Sequence, residues 1–406
     1  MSSLNVVIVG NGVAGVTAAR IIKEKNPETR VSIYTDEKSH YYPRPRLYEV
    51  LSGEAKPQDV TMFSEEWYRK NGITVQLNKK VLSIDTEQKE LLLQDQSRVK
   101  YDKLLLANGG HCFVPPIKGA EKKGTFTLRT IRDALTIKEF TTKTKKAIVI
   151  GGGLLGLEFA SSLQKLGLQV TVVELFQRLL PRQLDNDGAA ILKNHIASRG
   201  IEIVLGAKTV EILGESTVSG ILLDNGETIH GDLVLFSAGI RSNIELSLKA
   251  GIKANRGVIV DDHLRTSADD VYAIGDVAEF EGTVYGIIPA AIEQAKIATA
   301  NIMGDENKIY TGTFPSNTLK VVDIDLTSIG VVNPEDPKYE EIKEIDEKKG
   351  VYKKLVLDKG KIVGAIIVGD KKKVLLIKRL IAQETDITKH KKAILRDNFD
   401  YKKATE

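Results

Sequence analysis

Two glycine patterns in this sequence have the residue types and spacing that bind the phosphates of a dinucleotide. The first is Gly10-x-Gly12-x-x-Gly15, which follows an apolar stretch at 6–9 and precedes an alanine-rich helical pattern. Gly10 permits a tight turn, Gly12 lets the backbone approach a pyrophosphate, and Gly15 lets helix and strand pack closely. The helix amino terminus adds free N–H groups. Because strand, helix, second strand and acid follow in order, a dinucleotide site is favoured over an ordinary glycine-rich turn.

The second pattern, Gly151-x-Gly153-x-x-Gly156, repeats this architecture within residues 145–174. Two such units in one chain form an internal repeat. One fingerprint indicates a dehydrogenase, whereas two predict a site for FAD and a site for a nicotinamide nucleotide. The expected chemistry is therefore a hydride relay between two bound dinucleotides.

Acidic residues follow the second strand of each unit. Glu174 would accept hydrogen bonds from the adenosine ribose and repel the 2′-phosphate of NADPH, which favours NADH. Arg178 lies close enough to weaken that preference, and the alternative is a solvated acid at a strand end. In the first unit Thr35 occupies the position of Glu174, so Asp36 is the ribose candidate, with Glu37 next to it.

Three further charged residues have both a chemical and a structural interpretation. Asp276 follows Gly275 at the carboxyl end of a short strand, where open α/β sheets bind ligands, although Asp also caps helices well. Glu158 lies in the first turn of the helix after Gly156, near the expected nicotinamide, or it is only an acid favoured by the helix dipole. Arg44 either stabilises negative charge on a reduced flavin or is a solvated loop residue.

Composition excludes several classes of protein. The 406 residues, 42% hydrophobic and 28% charged, suffice for two or three domains, and a net charge of +4 is too small to indicate nucleic acid binding. No apolar run reaches the roughly 20 residues that span a bilayer, and the start of the chain has no signal peptide pattern. Cys112 is the single cysteine, which excludes a CxxC pair, and the histidine spacing predicts no metal site. A cytoplasmic protein is expected.

The elements that would position these residues can be read from apolar periodicity. Residues 90–93 and 99–106 are predicted to pair as a hairpin, and the segment 39–50 as a loop that leads into a short helix. From about residue 304 the pattern changes to strands at 319–325, 352–357 and 362–368, followed by lysine-rich helices. We interpret this last part as a third domain. Its lysine clusters at 371–373 and 389–392 are either solvated helix faces or a surface that steers an acidic partner.

Together these motifs resemble the FAD- and NAD(P)-dependent pyridine nucleotide oxidoreductases, in the branch of NADH:rubredoxin oxidoreductases and nitrite reductase flavin modules. The resemblance covers almost the whole chain. Its markers are YYPRPRLYE (41–49), YDKLLLANGG (101–110), LRTIRDA (128–134), KKAIVIGGGLLGLEFA (145–160), RQLDNDG (182–188), AGIRSN (238–243), NRGVIVDDHLRTS (255–267), YAIGDVAEF (272–280), SNTLKVVDID (316–325) and KKLVLDKGKIVGAIIVGD (353–370).

The resemblance implies an α/β fold with two Rossmann-like dinucleotide-binding domains, for FAD and NADH, and a small α+β C-terminal domain. The implied FAD-binding domain is discontinuous, 1–110 and 234–306, with the NADH-binding domain at 111–233 and the C-terminal domain at 307–406. Asn108 and Ser242 replace the family's usual Thr and Pro, and Tyr48 stands where smaller polar residues are common.

The resemblance also assigns roles to individual residues. Those implied to bind FAD are Gly10, Gly12, Gly15, Asp36, Arg44, Pro45, Asn108, Gly109, Arg129, Gly239, Gly275 and Asp276. Those implied to bind NADH are Gly151, Gly153, Gly156 and Glu174, with Glu158 beside the nicotinamide. Glu158 and Arg44 are the expected catalytic residues.

Related disulfide reductases need a redox cysteine early in the chain, and residues 39–52 contain none. The expected function is therefore electron transfer from NADH through FAD to a small acidic redox protein, with rubredoxin as the expected partner. One alternative is the flavin component of a nitrite reductase or oxygenase system. Another is an NADH-responsive flavoprotein of the apoptosis-inducing-factor type. The chain is expected to be a monomer or homodimer.

Overall fold

The computed structural model describes residues 3–391, 393–396 and 399, without the side chains of 317–319 and 321. The chain forms two compact units, each assembled from separate stretches of sequence. Unit 1 comprises Met1–Phe113, Arg129–Ile131 and Gly239–Thr313. Unit 2 comprises Val114–Leu128, Arg132–Ala238 and Phe314–Glu406.

The first 236 residues contain most of the strands and helices of the chain. Up to residue 112 they are β1 (Asn5–Val9), α1 (Val13–Lys25), β2 (Arg30–Tyr34), α2 (Leu47–Ser52), α3 (Pro57–Val60), α4 (Glu65–Lys70), β3 (Ile73–Gln76), β4 (Val81–Asp85), β5 (Glu90–Leu93), β6 (Arg98–Lys100), β7 (Lys103–Leu106) and β8 (Gly110–Cys112). Up to residue 236 they are β9 (Thr125–Thr127), α5 (Ile131–Thr141), β10 (Lys146–Ile150), α6 (Leu154–Lys165), β11 (Gln169–Glu174), α7 (Asn186–Ser198), β12 (Glu202–Leu205), β13 (Thr209–Leu213), β14 (Gly220–Leu223), β15 (Thr228–His230) and β16 (Leu233–Phe236).

Short strands and one long helix follow up to residue 302: β17 (Ile240–Ser242), α8 (Glu245–Lys249), β18 (Val258–Val260), β19 (Val271–Ala273), β20 (Ala278–Phe280) and α9 (Ile288–Ile302). The remaining elements are β21 (Ser316–Val321), β22 (Ile324–Gly330), β23 (Glu340–Asp346), β24 (Val351–Asp358), β25 (Lys361–Val368) and α10 (Val374–Ala382).

Unit 1 is built on a parallel sheet with the strand order β19-β7-β1-β2-β3. Strands β1 and β7 of this sheet are nearly continuous apolar runs because a parallel sheet covered by helices is buried on both faces; Val6, Val7 and Ile8 of β1 are fully buried. Helix α1 packs against α9. The prediction that residues 99–106 form one strand paired with 90–93 is wrong, because they form parts of two strands. The extended segment is interrupted at Tyr101–Asp102. The part before it, β6, belongs to the antiparallel sheet β4-β5-β6, and the part after it, β7, belongs to the parallel sheet.

Unit 2 contains a second parallel sheet, β12-β11-β10-β16-β9, and an antiparallel sheet, β21-β22-β25-β24-β23, which carries α10. The predicted strand 319–325 is instead a hairpin that turns at Val322–Asp323, and β23 has no counterpart among the predicted strands. The lysine-rich helices are also a wrong prediction within the described residues. Helix α10 is largely apolar, Lys373 is buried at its start, and residues 392 and 400–406 lie outside the described residues.

Among the described residues, no helix is both long enough and apolar enough to cross a membrane. The predicted α/β class, with two Rossmann-like sheets and a smaller C-terminal sheet, is confirmed. The three domain boundaries stay a prediction.

Candidate functional site

The first glycine pattern forms a backbone cradle between β1 and α1. Gly10 has φ +107°, and a Cβ there would lie 2.2 Å from the carbonyl oxygen of Ala107. A Cβ on Gly15 would lie 2.1 Å from the carbonyl oxygen of Gly10, so this residue must be glycine for α1 to approach the sheet. A Cβ on Gly12 would meet no heavy atom within 4 Å. Gly12 therefore faces open space at the start of α1, where a phosphate group fits.

The second pattern has the same geometry at the start of α6. Gly151 has φ +117°, a Cβ on Gly156 would lie 2.1 Å from the Gly151 carbonyl oxygen, and Gly153 again faces open space. The N-cap residues of α1 and α6 are Gly12 and Gly153, so no N-cap side chain binds the first backbone N–H groups of either helix. These N–H groups can therefore bind an anion. Each unit thus holds one phosphate cradle.

Buried polar atoms beside the first cradle support a polar ligand there. Asn11 accepts a hydrogen bond from Tyr68 at 3.0 Å, whereas its Nδ2 is buried and has no partner among the described residues. Asn108 donates to the carbonyl of Asn243 at 2.8 Å, and its Oδ1 is likewise buried without a partner in that part of the chain. Buried polar groups are nearly always satisfied, so the residues of unit 1 fit the predicted FAD.

Asp276 lies just after β19, in a short 3₁₀ turn at Gly275–Val277, at the carboxyl end of the parallel sheet. Its Oδ2 accepts a hydrogen bond from Arg129 at 2.9 Å, and its backbone carbonyl accepts one from the Ser242 hydroxyl at 2.7 Å. The alternative role as a helix cap is wrong, because α9 begins after Ile287. The structure thus brings Arg129 and Asp276 together.

Four other predicted residues lie in the same unit. Gly109 and Gly239 have φ of +63° and +99°, and Gly275 donates its N–H to Gln294 at 2.7 Å. Pro45 is half-buried in the 3₁₀ turn Arg44–Arg46. Arg46 binds both oxygens of Glu49, at 2.8 and 2.6 Å.

Arg44 is not a solvated loop residue. Its guanidinium donates to both carboxylate oxygens of Glu37, to the Tyr42 hydroxyl and, at 2.8 Å, to the Arg129 carbonyl. Burial raises the pKa of Tyr42, so its hydroxyl stays protonated and links the two charges. Because Glu37 already balances the charge of Arg44, this cluster organises the 37–44 loop. A direct catalytic role of Arg44 stays a prediction.

The acids after β2 take different environments. The first glycine of each pattern donates its N–H to a carbonyl near the end of the second strand, Gly10 to Tyr34 and Gly151 to Val173, both at 2.8 Å. Tyr34 and Val173 are therefore equivalent positions. The residues that follow them, Thr35 and Glu174, are equivalent as well. Asp36 follows as an exposed carboxylate, while Glu37 is bound to Arg44. Asp36 is therefore the acid that remains available in this loop.

Glu174 is held in place by backbone N–H groups. Its carboxylate accepts from Gly152 at 2.6 Å and from Phe176 at 2.9 Å, and the residue is buried. Arg178 donates to the carbonyls of Leu184 and Pro181 and to the side chain of Asn186, each at 3.3 Å. Its nitrogens are thus bound locally, so Arg178 does not neutralise Glu174.

Glu158 is the fifth residue of α6, so the prediction that it lies in the first turn is wrong. Its Oε1 accepts a hydrogen bond from the backbone N–H of Val322 at 2.9 Å. Sequence reasoning did not find Asn11, Tyr42 or Val322. A polar residue inside the first glycine pattern was a usable signal for Asn11, whereas no local pattern marks Val322.

Comparison with known proteins assigns the chain to a family. Residues 4–300 match the family described as pyridine nucleotide-disulphide oxidoreductase. The chain belongs to this family. In this oxidoreductase, residues 315–385 also match the domain described as the rubredoxin NAD+ reductase C-terminal domain. Family membership confirms the predicted oxidoreductase class and the predicted cofactors, FAD and NADH.

Individual members of the family resemble the chain over most of its length. It is 38% identical over 393 residues to a nitrite reductase of Bacillus subtilis, covering 97% of this chain and 49% of that protein. The chain thus spans about half the length of this relative. It is 32% identical over 370 residues to an NADH-rubredoxin oxidoreductase of Clostridium acetobutylicum, covering 91% and 92%. A ferredoxin reductase from Rhodopseudomonas palustris has a TM-score of 0.88 and 27% identity, covering 99% and 100%.

Proposed function

We propose that this protein oxidises NADH and passes the electrons, with bound FAD, to a small acidic iron–sulfur protein of the rubredoxin type. The observation that carries the proposal is a chain with two phosphate cradles and a single cysteine. The likeness of residues 315–385 to a rubredoxin reductase domain supports the acceptor. Cys112 is the only cysteine among the 406 residues, so they contain no pair for a thiol relay. The electron acceptor must therefore lie outside these 406 residues.

In this proposal unit 1 binds FAD. The Gly10–Gly15 cradle holds the pyrophosphate, Asp36 binds the adenosine ribose, and Asp276, fixed by Arg129, faces the ribityl chain. Arg44 and Pro45, with Asn108, Gly109, Gly239 and Gly275, shape the backbone near the ring system. FAD, when bound, couples two-electron donors to one-electron acceptors. The residues of this chain supply position and charge.

Unit 2 binds NADH in this proposal. The Gly151–Gly156 cradle holds the pyrophosphate, and Glu174 accepts the ribose hydroxyls. We assign the FAD-binding domain to 1–110 and 234–306, the NADH-binding domain to 111–233 and the C-terminal domain to 307–406. We further propose a cytoplasmic location, as expected from the low cysteine content.

The docking surface that we propose lies on α10. Leu375 is 82% exposed, and Lys371 and Lys372 before α10 and Arg379 on it, each within four residues of Leu375 in sequence, are exposed as well. We call these four residues the α10 patch. An exposed leucine close in sequence to three exposed cations suits an acidic partner that buries a small apolar centre. Lys373 is excluded from this patch, because it is buried and donates to the Leu395 carbonyl at 2.5 Å.

The test is an anaerobic reaction in two steps. The purified protein is mixed with NADH while flavin absorbance is followed, and then with oxidised rubredoxin. Loss of flavin absorbance followed by rubredoxin reduction at a comparable rate is the expected result. If the flavin is reduced while rubredoxin stays oxidised, the acceptor is wrong. If the protein binds no flavin, the assignment of unit 1 is wrong.

A second candidate function is the flavin component of a nitrite reductase. The observation in its favour is the 38% identity to the Bacillus subtilis nitrite reductase over 97% of this chain. Its 406 residues, with one cysteine, cannot ligate a four-cysteine cluster. The nitrite-reducing centre would therefore have to lie outside these residues. Nitrite-dependent NADH oxidation by the protein with a purified nitrite reductase subunit, but not with rubredoxin, would favour this candidate.

A further inference from the structure

The turn between β21 and β22 has an unusual backbone. Val321 pairs with Ile324, which leaves Val322 and Asp323 as a two-residue loop with φ of +48° and +68°. Positive φ at both positions is the pattern of a type I′ hairpin, which prefers Asn-Gly. A β-branched residue with positive φ is an outlier, because its Cβ substituents crowd the backbone. Val322 is therefore strained.

Strained residues persist where their surroundings over-determine them, and they cluster at functional sites. Val322 is only 3% exposed. Its N–H donates to Glu158 Oε1 and its carbonyl accepts from His195 Nε2, both at 2.9 Å. Glu158 is on α6 and His195 on α7, and all three residues belong to unit 2. The tip of the C-terminal hairpin is thus bound by α7 and by α6, the helix that begins at the second phosphate cradle.

We propose that Val322 and His195 are positioning residues that fix the Glu158 carboxylate for reaction with NADH. The inference rests on the proposed binding of NADH in unit 2. A glutamate side chain has several rotatable bonds, and ordering it costs conformational entropy. The Val322 N–H fixes one carboxylate oxygen, and His195 fixes the peptide that carries this contact. The C-terminal domain therefore completes the NADH site in addition to its proposed role in docking.

A purely structural role is the competing explanation, since the same contacts also attach the hairpin to α6 and α7. The two explanations differ in how mutations combine. If the tip acts through Glu158, replacing His195 and Glu158 together adds nothing to the kinetic effect of replacing Glu158 alone. If the tip only stabilises the fold, replacing His195 lowers the stability of the protein but does not change the rate of flavin reduction.

The experiment compares wild-type protein with Glu158→Ala, Glu158→Gln, His195→Ala and the double variant Glu158→Ala/His195→Ala. Amide hydrogen exchange of 316–330 reports the tip contact without any cofactor. Stopped-flow reduction by saturating NADH reports the chemical step. Arg199→Ala is the matched control, because Arg199 contacts Asp323, the other residue of the tip, in an exposed ion pair at 3.4 Å.

We expect His195→Ala and Glu158→Ala each to speed exchange at the tip and to slow flavin reduction by about tenfold or more. The double variant should be no slower than Glu158→Ala. Glu158→Gln should keep the protection of the tip, because an amide oxygen still accepts from Val322. Arg199→Ala should change neither measurement.

Two outcomes overturn the inference. If amide exchange at the tip is unchanged in Glu158→Ala, the contact between Glu158 and Val322 does not form. If His195→Ala speeds amide exchange at the tip but leaves the rate of flavin reduction unchanged, the His195 contact only stabilises the fold. A wild-type protein that NADH does not reduce would refute the proposed function instead, and the exchange data would still decide the contact.

Discussion

In the proposed NADH site, nucleotide preference depends on the charge of Glu174 beside the adenosine ribose. Like charges placed together cost several kcal/mol, so Glu174→Ser should lower the preference for NADH over NADPH by roughly tenfold or more. The measurement is kcat/KM with each nucleotide. Arg178→Ala is the control and should leave the KM for NADPH unchanged, because the Arg178 donors bind Leu184, Pro181 and Asn186. A raised KM for NADPH in that control would mean that Arg178 reaches the 2′-phosphate.

Replacing Gly12 and replacing Gly15 should have different effects on the first cradle, which we propose binds FAD. Gly12→Ala adds a Cβ that meets no protein atom within 4 Å, so thermal unfolding of the apoprotein should not change while FAD is lost. Gly15→Ala adds a Cβ 2.1 Å from the Gly10 carbonyl oxygen, so α1 must move and stability should fall by about 1–3 kcal/mol. Flavin content and thermal unfolding measure the two effects. A stable Gly12→Ala variant that retains FAD would contradict the cradle.

At the scale of elements, Asp185 attaches the C-terminal sheet to α7. It caps α7 by accepting the Gly188 N–H at 3.0 Å, and it accepts from Tyr352 at 2.5 Å and Lys354 at 3.1 Å. Lys354 is only 2% exposed, and it also forms an ion pair with Glu341 at 2.6 Å. These contacts give a structural role to the aspartate at position 185 of the RQLDNDG marker (182–188).

Removing Asp185 should therefore be costly. Asp185→Ala leaves Lys354 buried with one fewer partner, and breaking a buried pair costs about 3–5 kcal/mol. Asp187→Ala is the matched control, because Asp187 and Lys343 form a pair in which the side chains are 43% and 36% exposed, and such pairs contribute about 0–1 kcal/mol. Denaturant unfolding measures both changes. Equal losses in the two variants would show that burial of Lys354 is not the cause.

The same anchor predicts acid sensitivity. Burial by itself raises the pKa of Asp185, but the Tyr352 hydroxyl, the Gly188 N–H and the Lys354 ammonium together lower it below the ordinary 3.8. The ionised form is thus stabilised by folding, so this stability is present above about pH 4 and is lost as the pH falls through the folded pKa. Unfolding free energy should fall less between pH 5 and pH 3 in Asp185→Asn than in wild type. Parallel pH profiles for both proteins would contradict this.

At the scale of the whole molecule, charge is unevenly distributed. The net charge is +4, yet residues 371–406 hold eleven Lys and Arg against five Asp and Glu. Part of this surplus lies on the α10 patch, while Lys371 also pairs with Asp325 at 3.0 Å. Long-range attraction of an acidic partner mainly raises the association rate and weakens with salt.

The proposed docking surface can be tested by reversing its charge. Lys372→Glu/Arg379→Glu should lower kcat/KM for rubredoxin by about tenfold at low ionic strength, and the difference should shrink as salt is added. The rate with a small neutral quinone should not change. Lys25→Glu is the control, an exposed lysine at the end of α1. Equal effects of the two changes would mean that net charge matters and the α10 patch does not.

The backbone of both phosphate cradles could be predicted from the sequence. The reason is that a strand, a glycine turn and a helix are adjacent in the chain, so residue spacing determines their geometry. The same holds for Asp276 at the end of β19 and for Glu174 at the end of β11. Each of these positions depends on one local element and its carboxyl end.

The partners of the charged side chains were decided only by the tertiary structure. Glu37 neutralises Arg44, Lys373 turns inward to carbonyl groups, and Asp185 meets Lys354 from a strand far along the chain. Periodicity predicts one strand through Val322 because the apolar pattern continues across the turn, and the strain there is compensated by Glu158 and His195. Hydrophobic periodicity records which face of an element is buried. It does not record which distant polar group lies opposite, because that depends on how the finished elements pack.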